Sequence, residues 1–126
     1  MKNLRTLVLT AAIATLMALP VVAAELTLDF DNLTPLDESV DGLYEGWAII
    51  NGMPVSTGVF NVDESGQPIM PGGGAPITFM VDDSIGMASA IKISIEPAGD
   101  MDPAPSGLIV LTGDVDGEST ALVTAI

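Results

Sequence analysis

The amino-acid sequence predicts an all-β protein, an antiparallel β-sandwich of the immunoglobulin-like kind with about seven short strands. Three observations predict this class. Short apolar runs recur about every ten residues, and clusters of Gly, Pro, Asn and Asp separate them. Beyond residue 24, no segment has the spacing of apolar residues that is typical of an amphipathic helix. This pattern favours a sandwich over a layout in which strands and helices alternate.

The N-terminal segment has the features of a secretory signal peptide. Lys2 and Arg5 form a positive region, Leu7–Leu19 is apolar, and Val22–Ala24 supplies small residues for cleavage. The alternative is an uncleaved membrane anchor. It is disfavoured because Pro20 interrupts the apolar run, which is short for a span of about 20 residues. We therefore predict a signal peptide over residues 1–24 and an extracytoplasmic domain over residues 25–126.

A hairpin in the first half of the domain contains the largest apolar side chains. Leu43–Ile50 and Val55–Val62 have the composition of half-buried strands. Between them lies Asn51–Gly52, the dipeptide that best tolerates positive φ at both central positions of a type I′ turn. Trp47 is the only Trp of the chain. It could be an exposed platform for a ligand, but its place in an apolar strand favours a buried residue packed between the sheets.

The remaining strands are shorter and follow the same reasoning. Alternation or continuous apolar runs predict strands at Glu25–Phe30, Ile77–Val81, Ala88–Glu96, Leu108–Thr112 and Thr120–Ile126. Loops are predicted over 31–42 and over 63–76, where three consecutive glycines lack the Lys and Ser or Thr of a phosphate-binding loop. Because the sequence stops within an apolar run, we also expect a strand or linker to be missing from its C-terminus.

Composition excludes several functional classes. The chain has 17 acidic residues, three basic residues, no Cys and no His. Nucleic acid is not an expected partner, because neutralising phosphates requires Lys and Arg. Catalysis by Cys or His is excluded as well. A saline habitat, bound divalent cations or a merely solvated acidic surface could each explain the charge.

The best candidate for a metal site is the acidic segment near the C-terminus. Asp114, Asp116 and Glu118 alternate with other residues, and Gly117 allows a sharp turn. Such carboxylates are the ligands that Ca²⁺ prefers. The simpler interpretation is a hairpin turn with solvated acids, because the full ligand pattern of a calcium loop is missing.

Two other chemistries are weaker. Asp29, Asp31, Asp37 and Glu96 could in principle supply an acid–base pair, as in glycoside hydrolysis. The sequence gives no way to bring two of them to a chosen separation. Several Met residues could suggest a copper site, but they have no regular spacing, so exposed or gap-filling roles are expected.

Two blocks of the sequence resemble a known family. Tyr44–Asp63 (YEGWAIINGMPVSTGVFNVD) and Ile93–Gly113 (ISIEPAGDMDPAPSGLIVLTG) are similar, in this order, to the extracytoplasmic C-terminal domain of anti-sigma-K-type factors. The resemblance implies a β-sandwich outside the cytoplasmic membrane with a sensory or protein-interaction role and no catalysis. It also implies structural roles for the matched positions Trp47, Gly52, Pro54, Gly58, Glu96 and Pro97.

The chain departs from that family at its N-terminus. A signal peptide stands where a sigma-binding region and a transmembrane helix would precede the domain. The resemblance therefore predicts a free-standing, secreted relative that makes no direct contact with a sigma factor. We expect a non-enzymatic binding or sensory module whose partner is an unknown protein or envelope component. The alternative is a calcium-binding structural or adhesive module, and an acid-catalysed hydrolase is a remote third.

Overall fold

The computed structural model describes residues 4–7, 14–18, 23–117 and 119–125. It confirms the all-β prediction, since nearly all regular structure in these residues is antiparallel strand. The strands are β1 (Leu4–Leu7), β2 (Ala14–Ala18), β3 (Ala23–Leu26), β4 (Leu43–Ile50), β5 (Met53–Val62), β6 (Pro68–Ile69), β7 (Phe79–Asp82), β8 (Ala90–Glu96), β9 (Ile109–Asp116), β10 (Ser119–Thr120) and β11 (Val123–Thr124).

The strands form two sheets in a sandwich-like arrangement. The smaller sheet has the order β1-β2-β3-β7, and the larger has the order β10-β9-β8-β4-β5-β6, with β11 also paired to β9. A single apolar cluster takes side chains from both sheets, including Leu26 and Phe79 from the smaller one and Ile91, Ile93 and Leu111 from the larger one. The core therefore lies between the two sheets, as hydrophobic burial requires of one-sided sheets.

The predicted hairpin is present as β4 and β5. Asn51 has φ 52° and Gly52 has φ 78°, the left-handed values that a type I′ turn needs. The register between the strands shifts between Gly46 and Trp47, so that β5 contains one extra residue, Thr57. This β-bulge moves the buried face of β5. Thr57 is buried and the exposed Val59 lies on the other face, whereas the next residue, Phe60, is buried again.

Phe60 is the centre of the core. It is fully buried, and its ring stacks on Phe30 and Tyr44 at centroid distances of 5.6 Å each. Phe79 meets it edge to face at 5.4 Å, and Phe79 belongs to the opposite sheet. Aromatic pairs in these geometries contribute beyond the burial of their area. This cluster therefore joins the two layers.

Several elements differ from the predictions. β3 ends at Leu26, although burial continues to alternate up to Phe30. Between two of the predicted strands, the chain forms a 3₁₀ helix, Asp83–Met87. The predicted 63–76 loop contains the two-residue strand β6. β9 continues to Asp116, beyond the predicted end of this strand at Thr112.

The predicted signal peptide covers β1 and β2, and the proposed cleavage after Ala24 would fall within β3. Ala24 is buried and pairs with Val81 of β7. The signal peptide and the boundary between residues 24 and 25 stay predictions.

Candidate functional site

An acidic cleft lies on the face of the larger sheet that points away from the central core. Its volume is about 460 Å³, larger than the 360 Å³ cavity beside Thr27 and Gln67. Among the described residues, the cleft is lined by five carboxylates and by no basic side chain; the five are Glu38, Glu45, Glu96, Asp100 and Asp102. Such a lining favours a ligand of positive charge, because low-dielectric walls focus the field of charges of one sign.

The alternation of side chains along β4 and β8 determines which residues form the floor of the cleft. In β4, Tyr44 and Ala48 belong to the core, so Glu45 and Trp47 belong to the opposite face. Glu45 lies opposite Ser94 of β8 and Val59 of β5 in the ladder, and Glu96 lies opposite Leu43. Residues opposite each other in a ladder share a face. The two carboxylates therefore share the outer face of the sheet.

A buried hydrogen-bond network holds one wall. The indole Nε1–H of Trp47 donates to Ser94 Oγ at 2.8 Å, and the Ser94 hydroxyl donates in turn to the Glu96 carboxylate. These three side chains are at most 7% exposed. The Ser106 N–H donates to both Glu96 oxygens, at 2.9 and 3.2 Å. Glu96 thus fixes the end of the proline-rich 97–107 connection beside the cleft.

The opposite wall is fixed by the loop that carries Glu38. Asn61 of β5 donates to Glu38 at 3.1 Å and makes hydrogen bonds with the backbone N–H and C=O of Leu36. The Tyr44 hydroxyl donates to the backbone oxygen of Thr34 at 2.7 Å. Gly72 donates its N–H to both Glu38 oxygens, at 2.9 and 3.0 Å. The glycine-rich loop over residues 63–76 therefore contacts the Glu38 carboxylate.

The charge of the cleft affects the protonation of Glu45. Burial raises the pKa of the Glu45 carboxyl, and the negative charges of Glu96 and Asp100 raise it further. A hydrogen bond from the Ser56 hydroxyl opposes this effect by stabilising the carboxylate. A cation near Glu45 would be favoured, because it would offset both the desolvation and the repulsion.

The predicted calcium ligands lie elsewhere. Asp114 and Asp116 are exposed residues of β9, on one face of the strand because they are two positions apart. Glu118 lies outside the described residues. Within the described ranges, no three Asp or Glu side chains are placed to hold a metal ion together. The calcium site stays a prediction.

The other candidates divide between exposed and buried positions. Of the four carboxylates considered for acid–base chemistry, Glu96 lines the cleft, whereas Asp29, Asp31 and Asp37 are not among its lining residues. Trp47 is 3% exposed, which confirms that it is buried. Its expected place between the sheets is wrong, because the register puts it on the outer face. Large exposed fractions confirm the expected surface role of Met53, Met70, Met80, Met87 and Met101.

Sequence reasoning missed the cleft as a unit. The available signal was the acidic residue at position 45 of an otherwise apolar strand, together with Glu96 at the end of the most regular amphipathic strand. Both positions predict outward carboxylates on strands. Nothing in the sequence states that β4 and β8 are neighbours, so the two could not be combined.

The fold and the cleft define an all-β protein with a concave acidic surface. No protein-family model, no curated protein and no solved structure matches the chain. The similarity to the anti-sigma-K extracytoplasmic domain therefore stays a prediction. In the part of the chain that the structure describes, no helix has the length and apolarity needed to cross a membrane.

Proposed function

We propose that this protein is an extracytoplasmic, non-enzymatic binding module that takes a positively charged partner in its acidic cleft. One observation carries the proposal: in the part of the chain that the structure describes, five carboxylates and no basic side chain line one cavity. Lys92 is the only basic residue beyond residue 24, so the chain itself offers little to neutralise them. Electrostatic complementarity of this kind speeds association and rejects partners of the wrong sign.

The partner in this proposal is a protein or an envelope component with clustered Lys or Arg. The walls of the cleft are held by partly buried hydrogen bonds at Glu96 and Asn61, so the cleft is preorganised and little ordering cost accompanies binding. The segment over residues 1–24 supports a location outside the cytoplasm. A sensory role at the envelope is what the anti-sigma-K resemblance adds.

The experiment is a titration with oligolysine followed by calorimetry at two salt concentrations. The expected result is saturable binding that weakens as salt increases, because exposed charges are screened. Oligoglutamate of the same length is the ligand control. Failure of oligolysine to bind in low salt would overturn the proposal.

Matched variants locate the binding site. Glu45→Gln and Asp100→Asn each remove one charge from the cleft, and we expect each to weaken oligolysine binding. Asp29→Asn and Asp31→Asn remove the same charge from exposed positions outside the cleft. Equal losses in both sets would show that net charge, and not the cleft, determines binding.

A further inference from the structure

One edge of the larger sheet is open beside the cleft. β5 pairs with β4 from Met53 to Phe60, whereas β6 pairs only with Asn61 and Val62 on the other side. No described strand covers the outer edge of residues 53–60. An edge of this length presents unpaired backbone groups that another extended chain can bind.

The turn determines which backbone groups point outward. A two-residue turn makes Ile50 and Met53 the hydrogen-bonded pair that closes the hairpin, and the pattern then alternates along the ladder. Pro54 and Ser56 therefore direct their backbone groups away from β4. Pro54 has no N–H to offer, which suits an edge position. The N–H and C=O of Ser56 and the C=O of Pro54 are the groups available to an added strand.

Side chains near this edge differ between the two faces of the sheet. On the core side, Met53 is 65% exposed and Val55 is 42% exposed. On the outer side, Val59 lines the acidic cleft together with Glu45 and Glu38. A strand added to β5 would place alternate side chains on these two faces. Apolar residues would pack beside Val55, and basic residues would reach toward the carboxylates.

We propose that the open edge of β5 takes an extended segment of a protein partner in which basic and apolar residues alternate. Backbone hydrogen bonds supply affinity in this mode of recognition, and alternate side chains supply specificity. The inference rests on the proposed function, because it identifies the cationic partner as a strand-forming peptide. A second copy of the chain is a poor occupant, since a formal net charge of −14 makes two copies repel each other.

The test uses an acetylated and amidated octapeptide of alternating lysine and valine. Its control is the same peptide with N-methyl groups on alternate residues, which keeps the charge and removes hydrogen-bond donors along one edge. We expect the unmodified peptide to bind about tenfold more tightly, the difference that one or two hydrogen bonds make.

A matched pair of variants tests the edge directly. Ser56→Pro removes the outward N–H, and Ser56→Ala keeps that N–H and removes the hydroxyl, which donates to Glu45 and accepts from the Gly58 N–H. Both variants lack the hydroxyl, so their difference isolates the N–H, and we expect the octapeptide to bind about tenfold more weakly to Ser56→Pro than to Ser56→Ala. A second measurement does not depend on the folding of the variant. Amide hydrogen exchange of the unaltered protein should show protection of the Ser56 N–H when the octapeptide is bound.

The outcomes separate this inference from the proposed function. If the N-methylated peptide binds as tightly as the unmodified one, or the Ser56 amide stays unprotected at saturation, the edge is not the docking site. Glu45→Gln would still weaken binding of both peptides in that case, and the cleft would stand. If Glu45→Gln has no effect on either peptide, the proposed function fails as well.

Discussion

Replacing Ser94 by alanine is expected to destabilise the protein by about 2.5–6 kcal/mol, because its buried hydroxyl makes hydrogen bonds with two partners. The Trp47 N–H would lose its acceptor, which costs roughly 1–3 kcal/mol in a buried site. The Glu96 carboxylate would lose one donor and keep the Ser106 N–H. Hydrogen bonds to charged groups contribute about 1.5–3 kcal/mol each.

The assay is urea unfolding followed by circular dichroism, with a double-mutant cycle on Ser94 and Trp47. Trp47→Phe removes the donor together with some packing, so that an alanine at position 94 no longer leaves an indole N–H unsatisfied. We therefore expect Ser94→Ala to cost about 1 kcal/mol less in the Trp47→Phe background. Circular dichroism is required because the chain has one Trp and the variant lacks it.

The control for this cycle is Ser89→Ala. Ser89 is exposed, and its hydroxyl lies 3.3 Å from the Ile49 oxygen, so the change should cost less than about 0.5 kcal/mol. If the Ser94 and Trp47 changes add within about 0.3–0.5 kcal/mol, they are not energetically coupled. That result would refute the buried network as a source of stability for the wall of the cleft.

Three further predictions concern stability, and one concerns calcium. Phe60→Ala should cost about 3–5 kcal/mol in urea unfolding, with Phe60→Leu costing less, and equal losses would contradict a central aromatic cluster. Thr57→Val should stabilise the protein by about 1 kcal/mol, because the buried Thr57 hydroxyl has no hydrogen-bond partner in the described residues, and a loss of stability would contradict this. Because the folded state binds the Glu45 proton more tightly than the unfolded chain, stability should fall as pH rises from the ordinary to the raised pKa. Glu45→Gln should reduce that fall, and an unchanged slope of stability against pH would exclude this carboxyl as its source. The calcium hypothesis predicts a rise in Tm at millimolar Ca²⁺ that Asp114→Asn and Asp116→Asn abolish. An unchanged Tm at that concentration would contradict the hypothesis.

The sequence predicted the strands best where local signals agree. At the hairpin, β-branched and aromatic residues flank Asn51–Gly52, and the bounds predicted for β4 match the structure. The structure adds a shift of face in β5, where Thr57 is the extra residue. The position of a bulge depends on how the strand packs against both neighbouring strands, so the sequence of one strand alone does not determine it.

Local sequence signals could not predict the short strands or the cleft. β6 has two residues, and it exists because Pro68 and Ile69 lie beside the end of β5. The cleft combines Glu38 and Glu45 with Asp100, which lies much further along the sequence. Their proximity follows from strand order and from loops fixed by Asn61 and Glu96, which are tertiary contacts.

The amino-acid sequence by itself determined the all-β class, the strong negative charge and the hairpin around Asn51–Gly52, because these depend on composition and on neighbouring residues. Only the tertiary structure decided that Trp47 lies outside the central core, that Phe60 joins the two sheets, and that five carboxylates share one cavity. The physical reason is that strand pairing and sheet packing bring together residues whose separation along the chain carries no signal of their contact.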